Sequence, residues 1–202
     1  MSRVLIRIVN WAHEFLADKI KEGQLAVDLT VGKGYDTLML HRLVGETGQV
    51  VAFDIQSAAL DGARRHLLEH GAVVRMWQAG AGKLPAAAGV DLIQAGHESL
   101  ADYLSQAPQG IVANLGYLPG GDPQIITRPD STLKALRQAC HLLAPGGRLA
   151  VVIYTGHPGG AEEGRLVDEF FAALPAADFQ VLQLKVSNRS EAPFLLVAEK
   201  RT

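Results

Sequence analysis

The sequence lacks several features that would place it at once in a particular class of protein. It contains one cysteine, Cys140, so neither a disulfide scaffold nor a cysteine-based zinc site can be built from it, and we expect no metal. No apolar run approaches the roughly 18 residues that a membrane helix needs. The stretch MSRVLIRIVNWAHEFL has charges inside it and no small-residue cleavage site. We therefore expect a cytoplasmic protein without membrane contact.

An excess of basic residues is also missing. Nineteen Lys and Arg residues face 21 Asp and Glu residues, which gives a net charge of −2. Nucleic-acid-binding domains usually carry a basic excess. A local basic patch is nevertheless enough to hold a few phosphates, so this composition leaves an RNA partner open.

The order of apolar and amphipathic stretches predicts one α/β domain over residues 1–202. Strands are expected at 25–31, 49–54, 90–94, 111–114, 148–154, 181–186 and 194–199. Helices are expected at 3–21, 36–44, 57–70, 130–143 and 160–173, with Asp36, Ser57 and Asp130 or Ser131 as their caps. The alternation predicts a mostly parallel seven-stranded sheet with an antiparallel C-terminal strand and helices on both faces. Residues 72–90 fit either a strand or a helix extension, followed by a loop.

A glycine-rich turn follows the first predicted strand, in the segment 28-DLTVGKGYDT-37. Such a turn lets a ligand approach the backbone and the free N–H groups of a helix N-terminus. The dinucleotide pattern G-x-G-x-x-G is incomplete because its third position is Thr37, and the Walker pattern is absent. Asp28 and Asp36 would repel a pyrophosphate but attract an ammonium group. S-adenosylmethionine carries an ammonium and a sulfonium and no phosphate, so it fits this turn better than a dinucleotide.

An acidic residue ends the second predicted strand. Asp54 stands 22 positions after Gly32, which is the spacing at which a carboxylate can accept both hydroxyl protons of a ribose. Alone, an acid at a strand end is as often a helix cap as a ligand. Together with the glycine-rich turn it indicates a cofactor that contains a ribose.

Seven segments, taken in order, resemble a known family. They are DLTVGKGYDT, AFDIQ, GHESL, NLGYLPGGD, ITRPDST, YTGHPGGAEE and APFLLVAEK. Together they are similar to the YtqB-like family of S-adenosylmethionine-dependent methyltransferases, which was long labelled as rRNA methylases and is associated with tRNA (mnm(5)s(2)U34) methyltransferase activity. The resemblance runs from about residue 8 to residue 200. Lys33 stands where this family usually has Asn, and residues 72–89 look longer than the family's segment.

The resemblance implies a Rossmann-like class I methyltransferase fold, S-adenosylmethionine as cofactor, and a tRNA anticodon stem-loop as partner. The reaction it implies is methylation of the amine of 5-aminomethyl-2-thiouridine. A homodimer is left open. The expected cofactor contacts are Asp28, Thr30, Gly32, Lys33, Gly34, Asp36, Thr37, Asp54, Ile55, Gln56, His97, Glu98 and Asn114.

The loop 114-NLGYLPGGD-122 follows a predicted buried strand, and amino methyltransferases use a polar–x–x–aromatic loop at this point. By that analogy Asn114 accepts from the amine, Leu115 offers its carbonyl, and Tyr117 stacks on the base. The remaining expected substrate contacts are Pro119, Arg128 and His157. A small-molecule amine or carboxyl methyltransferase, an rRNA methyltransferase, and a cofactor-binding scaffold without catalysis are the alternatives.

Overall fold

The computed structural model describes residues 7–116, 126–189 and 191–201. The strands are β1 Leu25–Asp28, β2 Gln49–Asp54, β3 Val74–Gln78, β4 Gly89–Gln94, β5 Gly110–Leu115, β6 Arg148–Ile153, β7 Phe179–Leu184 and β8 Phe194–Lys200. The helices are α1 Ile8–Ala17, α2 Tyr35–Val44, α3 Ser57–Glu69, α4 Pro129–Leu142 and α5 Gly160–Ala172, with a 3₁₀ helix at His97–Asp102.

The strands form one sheet in the order β3-β4-β2-β1-β5-β6-β8-β7. All pairs are parallel except those of β8, which runs antiparallel to both β6 and β7. The expected α/β architecture with an antiparallel C-terminal strand is confirmed. From β1 the chain winds outward through β2 on one side and through β5 on the other. This reversal opens a crevice at the carboxyl ends of β1 and β5, where α/β sheets bind ligands.

The expected number of seven strands is wrong, because residues 74–78 form an eighth strand at the edge of the sheet. A buried carboxylate holds this edge in place. Asp91 of β4 accepts from Nε of Arg75 at 2.6 Å, from Nε1 of Trp77 at 2.8 Å and from Nε2 of Gln49 at 2.7 Å. Asp91 and these partners lie on three different strands, β4, β3 and β2, so the pattern of residues 72–90 alone could not show the pairing.

Two apolar layers cover the sheet, one on each face. Alternate residues of β5 point to opposite layers: Ile111 packs with Phe53 and Leu136, and Val112 packs with residues of α1 and α2 such as Leu16 and Leu40. This alternation is what a strand buried on both faces requires. Cys140 lies in the first layer and is 7% exposed, as expected for a packing residue.

The expected helix caps are wrong. The residues at the cap positions of α2, α3 and α4 are Gly34, Gln56 and Arg128, and none makes a side-chain cap bond. Gly34 has φ +78°, which glycine adopts without steric cost, so the backbone itself closes the turn before α2. The carboxylate of Asp36 is thereby left to bind other groups.

Helix α1 ends at Ala17, before the expected residue 21, and residues 3–6 of the expected helix lie outside the described residues. The helix lies against β6 and β8. Arg148 of β6 donates to the Phe15 carbonyl at 2.8 Å and to Glu199 of β8 at 2.7 Å. Lys19, just after the helix, reaches the same Glu199 at 3.2 Å. Within the ranges described above, no helix combines the length and the apolar character that crossing a bilayer would take.

Candidate active site

The glycine-rich turn is organised by a carboxylate beneath it. Asp28, at the end of β1, is fully buried. One of its oxygens accepts from the backbone N–H of Thr30 at 3.0 Å, and the other accepts from the hydroxyl of Thr37 at 2.6 Å. Asp28 therefore joins both ends of the turn. Burial, and secondarily the negative charge of Asp36, raises the pKa of Asp28 to about 7.

Asp54 lies at the end of β2 with both oxygens fixed by backbone groups. Oδ2 accepts from the N–H of Gly32 and Oδ1 from the N–H of Gln56, each at 2.9 Å. Burial raises the pKa of Asp54, and these two amides oppose the rise. Each oxygen keeps a second lone pair, so the carboxylate can still accept two ribose hydroxyls. Lys33 and Ile55, beside it, are exposed.

His97 follows β4 and is close enough to Asp54 for their charges to interact. Its Nδ1 lies 3.2 Å from the carbonyl of Leu29. Burial lowers the pKa of His97, so the neutral ring donates from Nδ1 and leaves Nε2 as an acceptor. Among the described residues this buried Nε2 has no hydrogen-bond partner. Such an atom is costly unless a ligand satisfies it, which fits a cofactor site here.

The carboxylate of Glu98 lies over the backbone of Gly96. A Cβ added at Gly96 would be 2.3 Å from Oε2 of Glu98, so only glycine leaves room for this arrangement. Glu98 therefore faces the same end of β4 as His97.

Asn114, at the end of β5, is hydrogen-bonded to the turn after β1 and to α2, and through α2 it is linked to α1. Its backbone N–H donates to the hydroxyl of Thr30 at 2.8 Å. Its side-chain Nδ2 donates to Asp36 of α2, whose other oxygen accepts from Nε2 of His13 at 2.6 Å. His13 lies on α1 and was not among the residues expected from the sequence. The next residue, Leu115, is buried, and its carbonyl accepts from the N–H of Tyr154 at 3.1 Å, which leaves one lone pair for a substrate.

Glu163 is a second residue that the sequence did not indicate. It is 2% exposed on α5, and its two oxygens accept from the hydroxyls of Thr127 and Thr132, each at 2.6 Å. Thr127 in turn donates its N–H to the carbonyl of Gly116 at 2.9 Å. The chain on both sides of residues 117–125 is therefore fastened to α5.

The expected substrate contacts divide into two groups. Tyr117 and Pro119 lie outside the described residues. Arg128 is exposed at the start of α4. His157 lies beside the end of β5, because a Cβ added at Gly116, the residue after β5, would be 3.5 Å from its Nε2. In the described ranges, no cluster of three or more His, Cys, Asp or Glu side chains could hold a metal ion.

Comparisons with known proteins agree with this geometry. The family described as "Putative rRNA methylase" matches residues 50–200. A protein of Arabidopsis thaliana named "tRNA (mnm(5)s(2)U34)-methyltransferase, chloroplastic" is 38% identical over 197 residues, which is 94% of this chain and 68% of that protein. The chain belongs to this methylase family. It is an S-adenosylmethionine-dependent methyltransferase.

Two solved structures of similar methylases superpose on nearly the whole chain. One is described as a putative rRNA-methylase from Clostridium thermocellum; it is 34% identical, has a TM-score of 0.87, and the match covers 98% of this chain and 100% of that one. The other is described as a putative methyltransferase from Streptococcus mutans in complex with SAH. It is 31% identical with a TM-score of 0.82, and the match covers 98% and 99% of the two chains.

Proposed function

We propose that this methylase transfers a methyl group to the primary amine of 5-aminomethyl-2-thiouridine at the wobble position of tRNA. The observation that carries the proposal is the position of Asn114, at the end of β5 beside the glycine-rich turn, with its amide nitrogen occupied by Asp36. The extent of the likeness to the named Arabidopsis protein supports the choice of substrate.

The same geometry supports a proposed set of cofactor contacts. S-adenosylmethionine, when bound, supplies a methyl group on a sulfonium. The Asp54 carboxylate would accept the ribose hydroxyls, and the negative charges of Asp28 and Asp36 would favour the cofactor's ammonium and sulfonium. His97 and Glu98 would lie along the adenosine. Thr30, Gly32, Gly34, Thr37, Ile55 and Gln56 complete the proposed contacts, together with the backbone of Lys33.

For this reaction, the orientation of the substrate amine matters more than the presence of a strong base. The Asn114 carbonyl oxygen would accept an N–H of the amine, which turns the nitrogen lone pair toward the methyl carbon. The nitrogen gains the methyl group and loses one proton to solvent. Holding the two reacting atoms about 3 Å apart can supply much of the lowering of the barrier. The residues proposed to hold the nucleotide are Tyr117, Pro119, Arg128 and His157.

Two measurements test the proposal. Nucleoside mass spectrometry of tRNA from a deletion strain should show the 5-aminomethyl nucleoside accumulating and the methylaminomethyl one lost. In vitro, Asn114→Ala should lower single-turnover methyl transfer to that tRNA by about 10²-fold, the size expected for lost alignment. Asn188→Ala, in the exposed turn after β7, is the control. Unchanged nucleoside levels in the deletion strain would rule out this substrate.

Ribosomal RNA is the second candidate, because the matching family carries that description. The same mass spectrometry on rRNA from the deletion strain separates the two. Loss of a methylated nucleoside from rRNA alone would favour it.

Three further proposals hold whether the substrate is tRNA or rRNA. We propose that residues 1–202 act as one domain, that the protein binds RNA, and that it works in the cytoplasm.

A further inference from the structure

We propose that His13 is a positioning residue: acting through Asp36, it fixes the Asn114 amide with its nitrogen inward and its carbonyl oxygen toward the substrate. This inference rests on the proposed function for its consequence in catalysis. The bonds that carry it belong to the protein alone.

The chain of contacts runs inward from helix α1. Nε2 of His13 lies 2.6 Å from Oδ1 of Asp36, and the other oxygen of Asp36 accepts from Nδ2 of Asn114. Asp36 is 9% exposed, while the side chain of His13 is 27% exposed. The contacts therefore join a helix outside the glycine-rich turn to the residue proposed to meet the amine.

A carboxylate can only accept hydrogen bonds, so it decides what its neighbours present. The two ends of an asparagine amide have nearly the same shape, and the hydrogen-bond partners determine which end points where. Beside Asp36, the NH2 end of Asn114 must face the carboxylate. The oxygen of Asn114 must then face the other way.

The orientation matters for the chemistry of an amine. An outward oxygen accepts an N–H and leaves the nitrogen lone pair free to attack. The reverse orientation would point an NH2 donor at that lone pair and occupy it. The orientation with the Asn114 oxygen outward therefore favours a substrate that donates hydrogen bonds.

His13 supplies the second donor that keeps Asp36 in place. Without it, one carboxylate oxygen loses its partner, and the group can rotate about its side-chain torsions away from Asn114. The backbone of Asn114 would stay fixed by Thr30, so the change would be confined to the side chain. The alternative is that His13 and Asp36 only fasten α1 to α2.

Two substitutions separate these possibilities. His13→Phe keeps a ring but removes the donor, and His13→Gln restores a donor from an amide nitrogen. His70→Phe is the matched control, because His70 lines the same surface groove as His13 and bonds the carbonyl of His66 instead of Asp36. Each variant is assayed for kcat and KM on tRNA from the deletion strain, for cofactor affinity by calorimetry, and for melting temperature.

We expect His13→Phe to lower kcat by about 10- to 100-fold with KM changed less than about threefold, as for a misaimed group. His13→Gln should recover most of that loss, and His70→Phe should match the wild type. A kcat that falls equally in the Phe and Gln variants, in step with the melting temperature, would show that His13 only fastens the helices. Wild-type kcat in both would also overturn the proposal.

An NMR measurement of the Asn114 side-chain amide tests the inference without any substrate. In the 21.6 kDa protein, the side-chain amide signals of Asn114 can be identified by their loss in Asn114→Asp. These signals should move in His13→Phe, return toward the wild type in His13→Gln, and stay in place in His70→Phe. Signals that do not move in His13→Phe overturn the inference. Wild-type protein that fails to methylate the precursor tRNA counts only against the proposed function, because the amide signals still test His13.

Discussion

The protonation state of Asp28 should change when the cofactor binds. Its pKa of about 7 means that in the free protein it is partly protonated near neutral pH. A bound ammonium or sulfonium favours the ionised carboxylate and lowers this pKa, so binding below about pH 7 releases a proton. We expect the affinity for S-adenosylmethionine to fall as the pH drops below 7 and to level off above it.

Calorimetry at pH 6 in two buffers of different ionisation enthalpy measures the released proton. The observed heats should differ between the buffers for the wild type and agree for Asp28→Asn. Equal heats in the wild type would contradict a role for Asp28 near the cofactor's positive charge.

Asp54 should contribute to the affinity for the cofactor. Asp54→Ala removes the acceptor for the proposed ribose hydroxyls and leaves the N–H groups of Gly32 and Gln56 without theirs. We expect cofactor binding to weaken by about 1–3 kcal/mol. Asp61→Ala, an exposed change on α3, is the calorimetric control. An unchanged dissociation constant for Asp54→Ala would refute the ribose contact.

At the scale of elements, Glu163 fastens the chain beyond β5 to α5. Glu163→Ala would leave the hydroxyl of Thr132, which is 1% exposed, without an acceptor. We expect a loss of about 1–3 kcal/mol in the free energy of unfolding. The neighbouring Glu162 is exposed, so Glu162→Ala should change the free energy of unfolding by no more than about 0.5 kcal/mol.

Urea denaturation of both variants gives the comparison. Equal midpoints for Glu162→Ala and Glu163→Ala would show that the two threonine bonds contribute little. Single-turnover methylation by Glu163→Ala then reports whether this fastening also helps the site.

The sequence predicted elements well where one local pattern decided them. The seven expected strands are present, because each is a short apolar run bounded by turns. Residues 72–90 fit a strand or a helix extension equally well, because Asp91, the residue that binds Arg75 and Trp77 of β3, lies on another strand. The helix caps were wrong because the backbone of Gly34 closes its turn without a side chain.

The contrast between local patterns and distant contacts also explains which site residues could be predicted from the sequence. Asp28, Asp54 and Asn114 could be grouped because parallel strands place their carboxyl ends at one edge. The structure brings them to that edge; their contacts with ligands stay predictions. His13 and Glu163 come from helices, and which helix residue reaches the sheet edge depends on how the helix packs. No local motif records that packing.

For the whole molecule, Cys140 is a probe of unfolding. Burial raises the pKa of its thiol to about 12, and the thiolate is the form that reacts with alkylating agents. Alkylation at pH 8 should therefore proceed only through unfolded molecules. If Glu163→Ala lowers the free energy of unfolding by about 1.4 kcal/mol, Cys140 in that variant should be alkylated about tenfold faster than in the wild type.

Iodoacetamide labelling followed by mass spectrometry measures these rates. Fast labelling of the native wild type, well below the onset of urea unfolding, would show that the thiol becomes accessible through local opening.

The place of β8 has a consequence for how the protein is made. This strand lies between β6 and β7 and is synthesised after both. A nascent chain on the ribosome can form β1 to β6 early, but β6 keeps an unpaired edge and α1 lacks part of its surface until residues 194–200 emerge. Unpaired apolar edges attract other chains, so this interval is when chaperones would matter most. A ribosome that stalls before Phe194 would release a sheet with β7 unable to join it.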